Sequence, residues 1–335
     1  MKIAVVGLGV AGSYLMRRLS QQHEVVGFDR QPRETFKAIC AWGTTRHEMK
    51  KVLEKVDFDF DEYLLHEGRS LILDNGRQTS SVPVKGLCTY EKARLQLDLT
   101  KGLKAYYGSV PDLDMLVRDF DLVVDATGIT RALLPKPVSD HILPCFECRV
   151  RYDGSRPFDD FYIRIFSNWS GYLWYFPLGG GDVFVGAGDT LNNHVQGVNS
   201  FLESKGGRVV GRYGRAIRIA PPEFMKPFRV GKVVGVGESI GTVYPLVGEG
   251  ILPSLECAEM LVECLDDLEQ YEKRVTEYFK PYTDIYKMVR LKQDGELSLV
   301  KHFPLIMKAY RYMKDREDYF GMEIRKSDLY LILNA

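Results

Sequence analysis

Three glycines and an acid at the start of the chain have the types and spacing to bind a dinucleotide. Gly7, Gly9 and Gly12 form a G-x-G-x-x-G turn, and Asp29 follows 17 residues after the last of them. In such a turn the first glycine allows a tight bend. The second lets a pyrophosphate approach bare backbone, and the third lets helix and strand pack closely. Free N–H groups at the helix start then face the phosphates. Asp29 can accept hydrogen bonds from adenosine ribose hydroxyls, its negative charge argues against a 2′-phosphate, and Arg30 beside it belongs to the same end of the site.

These residues need a strand, a turn, a helix and a second strand to hold them. Lys2 to Val6 is short, apolar and rich in β-branched residues, as a buried strand should be. Ser13 to Leu19 continues as a helix, and His23 to Phe28 reads as the second strand. Phe120 to Gly128 reads as another buried strand of a parallel sheet. From about Ile142 the pattern changes: Phe146 to Tyr152, Phe161 to Phe166, Gly171 to Phe176 and Asp182 to Gly188 read as strands of an antiparallel sheet. Val195 to Lys205 reads as a helix, Arg215 to Pro221 as a proline-rich link back, and Val230 to Val236 as a buried strand. Ile251 to Leu265 reads as an amphipathic helix. Thr45 to Val56 and Thr89 to Lys104 read as helices, and Asp74-Asn75-Gly76 as a turn between strands.

A second glycine-rich region, Val233 to Ile251, is more than a simple NAD dehydrogenase needs. Here the chain resembles the FAD-dependent geranylgeranyl reductase family, within the p-hydroxybenzoate-hydroxylase-like flavoproteins. That family carries G-D-A-A-G-x-x-x-P-x-x-G-x-G-I near its flavin; this chain has Gly237-Glu238-Ser239-Ile240-Gly241, then Pro245, Gly248, Gly250 and Ile251 at the same spacing. Lys37 to Gly43 is similar to the family's K-x-x-C-x-G-G loop, Lys92 to Leu99 to its R-x-x-F-D-x-x-L helix, and Tyr172 to Gly179 to its Y-x-W-x-F-P-x-G strand. The order agrees from residue 1 to about 265, and no motif covers the tail.

The resemblance implies bound FAD and hydride transfer from reduced flavin to a carbon–carbon double bond of an isoprenoid lipid. Cys40 would lie over the isoalloxazine and help protonate the product. Electrons would come from NAD(P)H or a ferredoxin, since no second fingerprint exists. The alternatives are a flavin monooxygenase or quinone-type oxidoreductase on an aromatic substrate, and a flavin-free binding protein. Three positions depart from the pattern: Glu238 replaces an aspartate, Lys92 an arginine with bidentate phosphate geometry, and Trp42 a glycine. Trp42 would narrow the space over the flavin. On the residues themselves, the Glu238 carboxylate suits ribitol hydroxyls. The N–H groups of Gly248 to Ile251, at a helix start, suit the pyrimidine edge of the ring. Tyr172, Trp174 and Phe176 alternate along a strand, so they share a face, read as an aromatic wall of an apolar substrate tunnel.

The expected architecture is α/β. Residues 1–135 and 228–265 form a discontinuous Rossmann-like FAD-binding domain, with 60–88 a candidate part of the cap. Residues 136–227 form a β-rich substrate domain, and 266–335 a helical C-terminal segment. Among 335 residues, Lys+Arg and Asp+Glu both number 45, so nothing basic points to a nucleic-acid partner. The six cysteines do not suggest a disulfide framework. Cys145 and Cys148 are a lone C-x-x-C, too few ligands for tetrahedral zinc, and a local disulfide or two thiols at a strand are the readings. The first strand begins at residue 2, so the expectation is a cytoplasmic protein without a secretory signal. Phe303 to Lys314 is basic and amphipathic: a helix packed on the domain, or a peripheral contact with a membrane.

Overall fold

The apolar run Lys2–Val6 is the middle of the molecule. In the computed structural model, which describes Met1–Ala335, it pairs in parallel with Glu24–Asp29 on one side and Leu122–Asp125 on the other. The full six-stranded sheet runs Arg229–Val230, Val233–Gly235, Leu122–Asp125, Lys2–Val6, Glu24–Asp29, Lys104–Tyr107. Only its Arg229–Val230 edge is antiparallel. Ile3, Ala4 and Val5 are fully buried because helices cover both faces, the condition under which a parallel strand can be continuously apolar. The helix Val10–Leu19 starts directly after Gly9 and packs against Ile251–Glu263 and Lys92–Leu99. The chain thus leaves this sheet after Asp125 and returns to it only at Arg229.

The second sheet has seven strands, in the order Arg208–Arg218, Ile142–Arg151, Asp182–Asp189, Gly171–Pro177, Phe161–Ile165, Ser70–Asp74, Thr79–Pro83. One face carries Cys148, Val150, Leu173, Tyr175, Val183 and Val185, packed on Val198 and Phe201 of the helix His194–Lys205. Period-two alternation therefore turns Cys145, Glu147, Tyr172, Trp174 and Gly186 to the other face, against the nucleotide half. Gly186 must be small: a Cβ there would lie 2.3 Å from the Trp174 ring and 2.7 Å from the Glu147 Cβ. Three short strands, Gly43–Thr45, Leu87–Tyr90 and Leu64–Glu67, form a third sheet between the two halves.

Two readings of the sequence are corrected. The helix expected over Thr89–Lys104 is only Lys92–Leu99, and it follows the strand Leu87–Tyr90. The link expected at Arg215–Pro221 is largely strand: Arg208–Arg218 is the edge of the seven-stranded sheet, paired with Ile142–Arg151. Its many arginines suit an edge with one wet side, and they hid its alternation. Cys145 and Cys148 are free thiols on opposite faces of one strand.

The tail is helical, with Leu268–Tyr278, Lys280–Gln293, Phe303–Lys314, Glu317–Phe320 and Lys326–Leu333. Tyr271, Phe279 and Tyr282 are buried, and Tyr282 packs edge-on against Tyr244 at 5.1 Å. Each such ring contributes about 1.5–3 kcal/mol of burial, which holds the tail on the nucleotide half. The last helix is tied to the second sheet: Trp169 Nε1 donates to the Ile332 carbonyl at 2.6 Å, and Ser80 Oγ to Asp328 at 2.7 Å. Helix Phe303–Lys314 buries Ile306, Ala309 and Met313 against the domain. No helix is long and apolar enough to cross a membrane.

Candidate active site

The fingerprint turn is held by backbone crowding except at one point. Gly7 has φ +90°, and a Cβ on it would lie 2.5 Å from the Ala126 carbonyl oxygen. A Cβ on Gly12 would fall 1.8 Å from the Gly7 carbonyl oxygen. At Gly9, the N-cap of the helix, a Cβ would meet nothing within 4 Å. The turn is closed on its own protein and open at the position where a phosphate must approach. Asp29 is buried at the strand end, accepting from Leu8 N–H and Gln31 N–H, both at 2.8 Å. Each carboxylate oxygen keeps a second lone pair for a hydroxyl. Arg30 is exposed. These residues fit the pyrophosphate and ribose of a dinucleotide.

The second glycine turn meets the first. Gly237 has φ +70°, and its Cβ would lie 3.3 Å from the Ala11 Cβ, on the fingerprint helix. The carboxylate of Glu238 beside it accepts from Arg218 N–H at 2.9 Å and Arg215 Nη2 at 3.3 Å, both on the edge strand of the second sheet. Glu238 therefore reaches across the two halves.

The face of the second sheet closes the other end. Tyr172 Oη donates to the Val247 carbonyl at 2.7 Å, and a Cβ on Gly248 would lie 2.6 Å from that hydroxyl. Cys40 is half-buried, and its N–H donates to Glu147 Oε1 at 3.1 Å. Trp42 has a left-handed backbone, φ 60°, a conformation that favours glycine. Its indole N–H donates to Ala38, and its ring packs edge-on against Phe184 at 4.9 Å. Cys145 is also here, its thiol pushed up to about 12 by burial and then by the Glu147 charge.

Two carboxyl groups flank this end, Glu147 buried and Glu249 half-buried, and neither stood out in the sequence. Burial pushes both Glu147 and Glu249 up to about 7, against the pull of backbone N–H donors and of the nearly buried Lys92. The Lys92 charge thus acts on both carboxyls. Glu249 changes one expectation. Its carboxylate accepts from Ile251 N–H at 3.0 Å and Leu252 N–H at 2.9 Å, and Gly248 N–H donates to the Tyr244 carbonyl. The helix start is already capped by its own acid rather than free to face a ring. An acid just before a helix is a capping signal in sequence, so Glu249 could have been found; Glu147 had only its place in a strand to mark it.

The Glu249 shift predicts a pH effect on stability. A carboxyl raised on folding favours the folded state below its unfolded value near 4.5, and that advantage is lost as pH rises toward 7. Glu249→Gln keeps an oxygen for the two N–H groups and removes the buried charge. Thermal melts at pH 8 should show it more stable by about 2 kcal/mol, with the difference vanishing near pH 4.

Of Tyr172, Trp174 and Phe176 on the strand, Tyr172 alone lines an apolar cavity. A cavity of about 120 Å³, with 20 hydrophobic residues among 27 that line it, sits between the second sheet and the tail helices. Tyr172, Val247, Leu71, Ile163, Met313 and Ile332 are among the residues that line it. Trp174 and Phe176 share the face of Tyr172 but do not line the cavity. Trp174 packs on Glu147 and Gly186, and Phe176 on Phe161 at 4.9 Å and against Gly43. Motif-bare tail residues supply the wall instead.

The paired glycine turns, the parallel sheet and the crossing antiparallel sheet define the Rossmann-type fold of FAD-binding flavoenzymes. No family model matches the sequence. Similar along its length is a Methanocaldococcus jannaschii protein of uncharacterised function, 25% identical over 98% of both chains. A digeranylgeranylglycerophospholipid reductase of Methanothermobacter thermautotrophicus is 34% identical over 99 residues, 28% of this chain and 25% of that one. Among solved structures, a geranylgeranyl bacteriochlorophyll reductase-like protein from Thermoplasma acidophilum superposes with TM-score 0.69 at 15% identity, covering 95% of this chain and 98% of its own. A probable FAD-dependent monooxygenase from Pseudomonas aeruginosa gives 0.64 at 14%, covering 88% and 97%. A tryptophan 6-halogenase from Streptomyces toxytricini gives 0.69 at 16%, covering 99% and 90%. At these identities the structures establish the fold.

Proposed function

We propose that this protein binds FAD and reduces carbon–carbon double bonds of an isoprenoid lipid. The observation that carries the reading is the apolar cavity lined by Tyr172 and Val247, beside the Gly248 turn. A chain of methylenes and methyls suits such walls, since each CH₂ gains about 0.8 kcal/mol on burial. The partial likeness to a digeranylgeranylglycerophospholipid reductase supports the same substrate class.

In this reading Gly9 and the helix start bind the pyrophosphate, Asp29 the ribose, and Glu238 the ribitol. Bound FAD, once reduced, would supply a hydride. The protein's own part is to align the alkene, exclude water and deliver a proton, and Cys40 is the donor it presents. Trp42 limits how much chain passes that point. Electrons come from NAD(P)H or a ferredoxin. Leu299, Val300 and Phe303 are exposed around Lys301 at the start of helix Phe303–Lys314, and they form the proposed contact with a membrane surface.

The test is incubation with prenyl alcohols of increasing length and dithionite-reduced FAD, followed by mass spectrometry. A mass gain of two hydrogens per reduced bond is the expected result. Turnover of a small phenol or quinone with no prenyl reduction would instead select a monooxygenase or quinone reductase, a reading the shared fold with the Pseudomonas protein favours. Met313→Trp should fill the cavity and weaken long chains more than short ones. Exclusion of two methylenes costs about 1.6 kcal/mol, or roughly tenfold in affinity; equal loss at all lengths would move the chain-binding site elsewhere.

A further inference from the structure

The chemistry proposed above needs a proton for every hydride, and Cys40 alone holds only one. What recharges it should be buried, close to Cys40 and able to hold a proton near neutral pH.

Glu147 meets each condition on geometry. It is 3% exposed, and its Oε1 accepts from Cys40 N–H at 3.1 Å. Its Oε2 is fully buried without a well-formed hydrogen bond, and the donor beside it is the indole N–H of Trp174, itself otherwise unpaired. A buried carboxylate with an unsatisfied oxygen is costly; a protonated one is much less so. The charges around it agree. Lys92 is a buried cation acting on both Glu147 and Glu249. With both carboxylates ionised this group of three carries a net negative charge; with one proton held it is neutral. The other groups facing Glu147 are Arg215, Trp174 and Cys145, with Tyr213 opposite it on the neighbouring strand. Arg215 is already engaged with Glu238.

We propose that Glu147 is the proton-holding, positioning residue of this site: one oxygen fixes the Cys40 turn, and the other stores the proton that restores the thiol after each reduction. The balance closes. The alkene takes up a hydride and a proton, giving two new C–H bonds. The proton leaves the Cys40 thiol, the resulting thiolate takes one from the Glu147 carboxyl, and the carboxylate regains it from water. The electrons come only from the reduced flavin. This inference rests on the proposed alkene reduction, but the storage of a proton by Glu147 can be measured without it.

The variant is Glu147→Gln, which keeps an oxygen for Cys40 N–H and cannot titrate. Infrared difference spectra between pH 5 and pH 9, taken on the protein without substrate, should show carboxylic C=O absorption from Glu147 and Glu249 in the wild type that titrates near neutrality; the Glu147 band should be missing in E147Q, and the band that remains should be missing in Glu249→Gln. In turnover, wild-type prenyl reduction should fall as pH rises above about 7, where the stored proton is lost. E147Q should bind FAD equally, accept electrons equally, and turn over roughly a hundredfold more slowly with no limb near pH 7. If E147Q is unstable, Glu147→Asp makes the measurement: a shifted infrared band and a shifted limb support the role. Infrared absorption unchanged in either Glu147 variant, or an unchanged pH limb with normal turnover, overturns it. A missing band in E147Q with no prenyl reduction by wild type would sink the substrate reading and leave the proton store standing.

Discussion

Gly9→Val is expected to give a folded protein that purifies without yellow colour. Its backbone has φ −73° and ψ −153°, which an L-residue can adopt, and a Cβ there meets nothing within 4 Å. The native contacts therefore survive. The valine methyls instead fill the space over the helix start, where a pyrophosphate would use bare backbone N–H groups. Displacing the phosphates from that cradle should cost at least about 3 kcal/mol, a hundredfold or more in affinity. Flavin absorbance per mole of protein and a fluorescence titration with FAD would read this, beside a thermal melt on flavin-free protein. Gly12→Ala is the contrast, since its methyl collides with the Gly7 carbonyl at 1.8 Å, and the fold itself should fail. Full flavin retention in G9V would place the pyrophosphate somewhere else.

Cys40→Ser should retain FAD, accept electrons from dithionite and lose nearly all alkene reduction. The hydrogen bond from residue 40 to Glu147 is made by the backbone, so it survives the change and the loop keeps its place. What is lost is the thiol at the junction of the two halves. Removal of a positioned proton donor typically costs on the order of 10²–10⁴ in rate. Stopped-flow traces would separate the two half-reactions: flavin reduction at wild-type speed, then slow reoxidation by a prenyl substrate. A wild-type second phase would make Cys40 a packing residue.

Much of the fold was legible because its signals are local. Lys2–Val6, the glycine turn and Asp29 follow one another in thirty residues, and each has a reason in backbone sterics that needs no distant partner. The strands Ile142–Arg151 and Gly171–Pro177 announced themselves by alternation. The strand Arg208–Arg218 did not, since Arg212, Arg215 and Arg218 interrupt the apolar pattern and only the tertiary fold shows what they serve. The site was half legible. Its glycines and Cys40 lie in motifs. Alternation places Tyr172, Trp174 and Phe176 on one face but not their neighbours, which differ: Tyr172 meets the cavity, Trp174 meets Glu147 and Phe176 meets Phe161. Glu147 and Glu249 act through burial, which no single stretch of sequence records.

The tail helices matter for how such a protein can change. The cradle for the proposed cofactor rests on Gly7 and Gly12, locked against backbone, and on a Gly9 that must stay bare for the phosphate. The cavity wall is built from Met288, Met313, Leu329 and Ile332, on helices that contribute nothing to the fingerprint. Methionine and leucine exchange at low cost in a packed interior. Selection, natural or in the laboratory, can therefore reshape what enters the cavity by drifting the last fifty residues while the nucleotide half stays fixed. A library confined to those four positions should yield altered ligand range at nearly constant flavin content.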